Sequence, residues 1–146
     1  MKKKYSYIKI RLLSLDEGGY HILIQGKLNG KRLFFIVDTG SSRTVLDEDV
    51  VNVLCEQSVV KNAEGKAVTL SPKTIDIATV NVDSLSFGKT LIKNYQCVVM
   101  DLSGVHTAYS ELKLPRIHGI VGGDLLKRCG AVIDYETCRL RLSRQE

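Results

Sequence analysis

The chain has 146 residues, of which 44% are apolar and 25% charged, and it carries a formal charge of +5. Those values exclude a disordered or fibrous chain and are most simply met by one domain spanning residues 1–146, which at this length buries roughly 68% of its unfolded surface. The excess cations sit near the ends, at Lys2, Lys3 and Lys4 and at Arg139, Arg141 and Arg144, with no nucleic-acid motif beside them. They read as solvated termini, not as a DNA or RNA surface.

The start, MKKKYSYIKIRLLSL, has a basic head, but Lys9 and Arg11 interrupt its apolar residues. A signal peptide is not expected, no run approaches the ~18 apolar residues of a membrane span, and a cytoplasmic, membrane-free protein is the expectation. Cys55, Cys97, Cys129 and Cys138 lack C-x-x-C spacing, so reduced thiols are expected, not a zinc site or disulfide framework.

Most of the chain reads as strands. Alternation in YSYIKIRLLSL predicts a first strand. Residues 19–38, GYHILIQGKLNGKRLFFIVD, predict a hairpin turning at Asn29-Gly30, a type I′ signal. A second hairpin is expected to turn at Glu64-Gly65 between Val59-Val60 and Val68-Leu70. A third turns at Gly88-Lys89 between TIDIATVNVDSLSF and TLIKNYQCVVMDL. Two short helices are expected, SGVHTAYSELK stopped before Pro115 and GDLLKRCG ended by Gly130. AVIDYE and CRLRLS supply the last strands, and the sum is an all-β domain.

One stretch poses a chemical question. In LFFIVDTGSSRTVL, residues 33–46, five apolar residues run straight into Asp38. A carboxylate at the end of a core strand is costly to bury unless it is paired or hydrogen-bonded. A strand followed by D-x-G-x-x-x-T also suits the phosphate-binding turn of actin-like ATPases, but those folds need a longer chain and a second acidic glycine-rich turn. A dehalogenase-type D-x-D fails at Gly40.

The residues DTGSS at 38–42, HGIVGGDLL at 118–126 and the closing KRCGAVIDYETCRLRL resemble the retropepsin-like aspartic proteases, the single-domain relatives of pepsin. The likeness runs from about Gly19 to Leu142. It implies a closed acid-protease barrel with one or two short helices, and an endopeptidase that needs no cofactor and no metal. Two carboxylates about 3 Å apart share one proton and activate a water between them. Asp38, Thr39 and Gly40 are carried over as the catalytic turn. Gly40 lets backbone N–H groups reach the carboxylate, Thr39 is the buried hydroxyl that bonds across to a second loop, and Ser41 donates to the outer carboxylate oxygen. Only one D-T-G occurs, so the resemblance implies a homodimer in which Asp38 of each chain meets on a twofold axis, acting on a peptide or protein substrate. The terminal strands, Tyr5 to Leu12 and Arg139 to Ser143, are the expected dimer contacts. Asp124 and Asp134 are the nearest alternatives for a second carboxylate within one chain.

Substrate contacts are expected from Ser41, Ser42 and Arg43 after the turn and from Ile120 and Val121 in the second motif. The tip of a covering hairpin is expected at Ala63, Glu64, Gly65 and Lys66. Ser42 and Arg43 stand where retroviral enzymes carry acidic residues, and Gly123 where they carry an arginine. The same fold could also serve as an inactive, dimeric peptide-binding or scaffold domain. His118 reads as an ordinary loop or strand-edge residue, and His21 and His106 are isolated, with no His/Cys/carboxylate cluster to suggest a metal.

Overall fold

The computed structural model describes residues 2–55, 59–60, 66–68, 74–76 and 78–145. The chain begins with β1 (Tyr5–Lys9) and β2 (Arg11–Ser14), passes a 3-10 turn at Asp16–Gly18, and enters the hairpin β3 (Tyr20–Leu28) and β4 (Lys31–Val37). Asn29 and Gly30 both take positive φ, 48° and 82°, as a type I′ turn requires. Next come β5 (Val45–Asp47) and α1 (Glu48–Leu54), then β6 (Val59–Val60), β7 (Lys66–Val68) and β8 (Thr74–Asp76). The long hairpin of β9 (Ala78–Phe87) and β10 (Thr90–Met100) leads to α2 (Ser103–Glu111), β11 (Gly119–Val121) and α3 (Gly123–Arg128). The pair β12 (Val132–Asp134) and β13 (Arg139–Ser143) follows.

Strands β3, β4, β11, β5, β10 and β9 pair in that order, and β9 pairs back to β3 at Lys27–Ser86 and Leu28–Leu85, closing a barrel. Closure pairs the six barrel strands on both sides. β2 and β6 extend the sheet as flanking strands. The short β11 is the pivotal element. It runs parallel to β4, with Ile120 beside Ile36, and antiparallel to β5, with Ile120 beside Val45. The loop between β4 and β5, which carries Asp38, is thus straddled by β11.

The unbroken apolar run of β4 follows from burial on both faces. Leu33, Phe35 and Val37 enter the main core, with Phe35 against Phe87 edge-to-face at 5.2 Å between centroids. Ile36 enters a second core with Leu13, Leu23, Val45, Val98, Leu102, Tyr109 and Ile117, roofed by α2, and Phe34 packs against it. This second core fixes the floor of the site described below.

The terminal strands pair with each other within the chain, Tyr5–Ser143 through Lys9–Arg139. That three-stranded sheet runs β1-β13-β12, with β1 and β12 as its outer strands. Among the described residues Val59–Val60 does not pair with Val68 as expected: β6 pairs with β9, and β7 with β8, while the expected turn at Glu64-Gly65 and residues 69–70 lie outside the described residues. A helix, α1, stands where none was expected, with Glu48 and Asp49 in its first turn favouring the helix N-terminus. Ser103 begins α2 without capping it through its side chain; the N-cap position is Leu102.

Candidate active site

Asp38 lies just past the end of β4, and its N–H donates to Val121 O at 3.0 Å, continuing the parallel ladder one residue beyond the strand. Ser41 N–H donates back to Asp38 O at 3.1 Å, closing the turn, and Gly40 N–H donates to Asp38 Oδ1 at 2.9 Å. The backbone therefore aims one donor at the carboxylate, as expected of Gly40. The Asp38, Thr39 and Gly40 side of the turn is exposed in the single chain. Ser41 is placed differently from expectation: its hydroxyl donates to Arg43 O at 2.8 Å, bracing the loop internally instead of reaching Asp38.

The loop is locked from below by the Gly122-Gly123-Asp124 segment at the start of α3. Gly123 N–H donates to Ser41 O at 2.7 Å and Asp124 N–H to Ser42 O at 3.3 Å. A Cβ on Gly122 would stand 2.8 Å from Ser41 O and closer still to Arg43 O, so only glycine lets the two loops meet. Thr44, fully buried, joins them through its side chain. Its Oγ1 accepts from Gly122 N–H at 3.1 Å and donates to Asp124 Oδ1 at 2.8 Å. Tyr95 OH donates to Asp124 Oδ2 at 2.7 Å, and Arg43 Nε stands 3.8 Å from the same oxygen. Burial, the hydrogen bond to Asp124 and its charge push the Tyr95 phenol well above its usual range.

Both alternative carboxylates are thereby committed. Asp124 spends its two oxygens on Thr44 and Tyr95. Asp134 Oδ1 accepts from Glu136 N–H at 2.9 Å and Thr137 N–H at 3.1 Å, bonds that hold its carboxyl below the usual range and fix the β12–β13 turn.

Beside Asp38 opens an apolar cavity of about 510 Å³, within the range of small-ligand sites. Ile36 and Val37 of β4, Ile22 of β3, and Ile117 and Ile120 around β11 line one side; Val105, Ala108 and Tyr109 of α2 line the other. Tyr20, His21 and Tyr135 stand at its edge, and Tyr20 and Tyr135 are largely exposed. Of the expected contact residues, Ile120 lines this cavity with Asp38, whereas Val121 points into the main core and Ser42 and Arg43 lie outside the lining. Lys66 opens β7. Ala63, Glu64 and Gly65 lie outside the described residues. The contribution of α2 is the feature that the sequence reading missed, although the i, i+3, i+4 spacing of Val105, Ala108 and Tyr109 on one helix face was a visible signal.

A larger groove of about 750 Å³ runs along β1, β3 and β4, lined by Lys9, Arg11, Lys27 and Arg32 and by no carboxylate or imidazole. Among the described residues there is no cluster of three potential metal ligands, and no helix is long and apolar enough to cross a membrane. The four cysteines are free, and burial raises the thiols of Cys55, Cys97 and Cys129, that of Cys97 to about 12.

A closed barrel with an aspartate turn straddled by an inner strand defines the retropepsin-like fold. The solved structures agree. The chain is similar to a retropepsin-like aspartic protease from Rickettsia conorii, at 20% identity over 99% of this chain and 96% of that one, with a TM-score of 0.59. It is also similar to the EIAV protease complexed with an inhibitor, at 18% identity over 84% and 99% of the two chains, with a TM-score of 0.53. The retroviral protease-like domain of Ddi1 from Leishmania major matches at 13% identity over 80% and 82%, with a TM-score of 0.52. No curated protein matches the chain. The aspartyl protease family model matches residues 24–125, and the chain belongs to that family.

Proposed function

We propose that this chain is an aspartic endopeptidase whose active site forms between two copies, with Asp38 of each on the twofold axis. The observation that carries the reading is the state of Asp38. It is oriented by Gly40 N–H, left open to solvent beside an apolar cavity, and unaccompanied by any other uncommitted carboxylate in its loop or in the neighbouring Asp124 loop. A single ionised carboxylate can accept a proton from water but leaves the departing nitrogen without an acid. A second Asp38 within about 3 Å supplies it, because two carboxyls that close retain one proton between them. One then acts as base toward water while the other protonates the leaving amine.

In the dimer the exposed Asp38-Thr39-Gly40 turn is covered by its twin, which places the Thr39 hydroxyl at the contact. Exposed Val132 on β12, one of the two outer strands of its sheet, and Tyr135 after it supply apolar area for association. The test is cleavage of a diverse peptide pool by the purified chain and by Asp38→Asn. The reading predicts cleavage by the wild type, none by the variant, and unchanged thermal stability, since the amide oxygen still accepts from Gly40. Cleavage by Asp38→Asn refutes it, and a folded, dimeric wild type that binds peptides without cutting them establishes a binding domain instead.

A further inference from the structure

The groove along β1, β3 and β4 lies where the sheet splits. β2 pairs with β3 only as far as Arg11–Leu23, and β9 takes up that edge of β3 from Lys27–Ser86, so Gln25 between them is paired to no strand there. At Ile10 the chain leaves β3, and β1 turns to β13 instead, with Ile10 N–H donating to Cys138 O at 2.9 Å. Arg144 N–H donates to Lys4 O at 2.9 Å, so the even residues of β1 direct their N–H and C=O at β13. Alternation in an antiparallel ladder turns the N–H and C=O of Tyr7 and Lys9 to the opposite edge, which no strand among the described residues pairs. Both residues line the groove. Its exposed rim is cationic. Lys27 and Arg32 stand directly opposite each other on β3 and β4, a like-charge pair that destabilises the sheet unless an anion lies between. Lys9 and Arg11 line it from β1 and β2, and among the described residues none of the four is ion-paired.

We propose that this groove binds an extended acidic segment of a partner protein, added as a strand to the free edge of β1 with its carboxylates over Lys9, Arg11, Lys27 and Arg32. A strand meets that edge with donors and acceptors in the alternation that Tyr7 and Lys9 present, and it sets every second side chain on one face, roughly 7 Å apart. A nucleic-acid backbone brings phosphate oxygens alone and would set them against the two carbonyls. A second copy of this chain is a poor occupant, since it carries a formal charge of +5 and the same four cations. Tyr7, 60% exposed, and the half-buried Phe34 add apolar surface, so a segment mixing acidic with aliphatic residues fits best. The lining shares no residue with the cavity beside Asp38, so this binding stands apart from the peptidase reading.

The test is fluorescence anisotropy of a labelled peptide that alternates Glu with Thr and Val, titrated with the full chain at low and at physiological salt. Removing two exposed ion pairs through Lys27→Gln with Arg32→Gln is expected to weaken binding at least about fivefold. Lys93→Gln with Lys127→Gln removes equal charge from exposed positions outside the lining and is expected to leave binding unchanged. Peptides N-methylated at every second residue keep their charge but lose the donors of one edge. Methylation in the phase that faces β1 is expected to abolish binding, and in the other phase to preserve it. Equal loss from both pairs of substitutions, or equal binding by the two methylated peptides, would leave only an attraction between charges and overturns the proposal. An oligothymidylate of equal charge that binds as tightly overturns it too, as does a parent peptide that fails to bind at low salt.

Discussion

Thr44→Val tests how the catalytic turn is held. Valine keeps the shape and volume of threonine and removes the hydroxyl that ties the Asp38 loop to the Gly122 loop. Two bonds disappear: the donation to Asp124 Oδ1 at 2.8 Å and the acceptance from Gly122 N–H at 3.1 Å. Loss of a bond to a carboxylate costs about 1.5–3 kcal/mol, and a buried N–H left without a partner costs about 1–3 kcal/mol. The terms share one atom and relax together, so a total of about 2–4 kcal/mol is expected, not their full sum. Thr44→Ser keeps both bonds and loses one methyl, worth about 1 kcal/mol. Urea unfolding of the three proteins, read by midpoint at constant slope, gives the comparison directly. Valine is expected to be the less stable variant by at least about 1 kcal/mol and to lose most of its peptidase activity as the loop loosens. A valine variant as stable as the serine variant would refute the claim that this hydroxyl links the two loops.

Three further outcomes follow from the same geometry. His118 accepts Phe34 N–H at Nδ1, 3.0 Å away, and burial foremost, with the Arg116 charge next, lowers its protonation below the ordinary 6.5. The unfolded chain then binds more protons, so stability is full above pH 6.5 and falls as pH drops through the folded value; His118→Gln should flatten that slope in urea titrations at several pH values. Peptidase activity should follow a bell on the acid side of neutrality whose limbs belong to the Asp38 pair; a rate still rising at about pH 9 contradicts shared-proton chemistry. Ser41→Ala should leave the acid limb in place, because its hydroxyl serves Arg43 O and not Asp38; an upward shift of that limb would show a contact formed only in the dimer.

The sequence carried the β3–β4 and β9–β10 hairpins and the aspartate turn openly, because their signals are local: Asn29-Gly30 for the turn, alternation for β9, and D-T-G before a second glycine-rich motif. It hid what depends on long-range pairing. Nothing within β4 tells that β11 lies beside it in parallel, some eighty residues later, and that both faces are therefore buried. Nor did the terminal strands reveal that they pair with each other within one chain. α1 was overlooked because Val50, Val51 and Val53 are β-branched and favour strands, although Glu48 and Asp49 marked a helix start. In the site, Asp38 and Ile120 were legible from the motifs. The Thr44–Asp124–Tyr95 chain was not, since each member is ordinary alone and only the fold brings them together.

The central claim is that two chains build one site, and mixing tests it most directly. Wild-type chain is held constant while Asp38→Asn chain is added, subunits are allowed to exchange, and peptide cleavage is read with dimer mass followed alongside. A shared site predicts that activity falls in proportion to the wild-type share of chains, to about one half at equal amounts and about one tenth at ninefold excess, because each mixed dimer holds one competent carboxylate. Activity that stays constant across the series, with mixed dimers present, would place a complete site in a single chain and contradict the account.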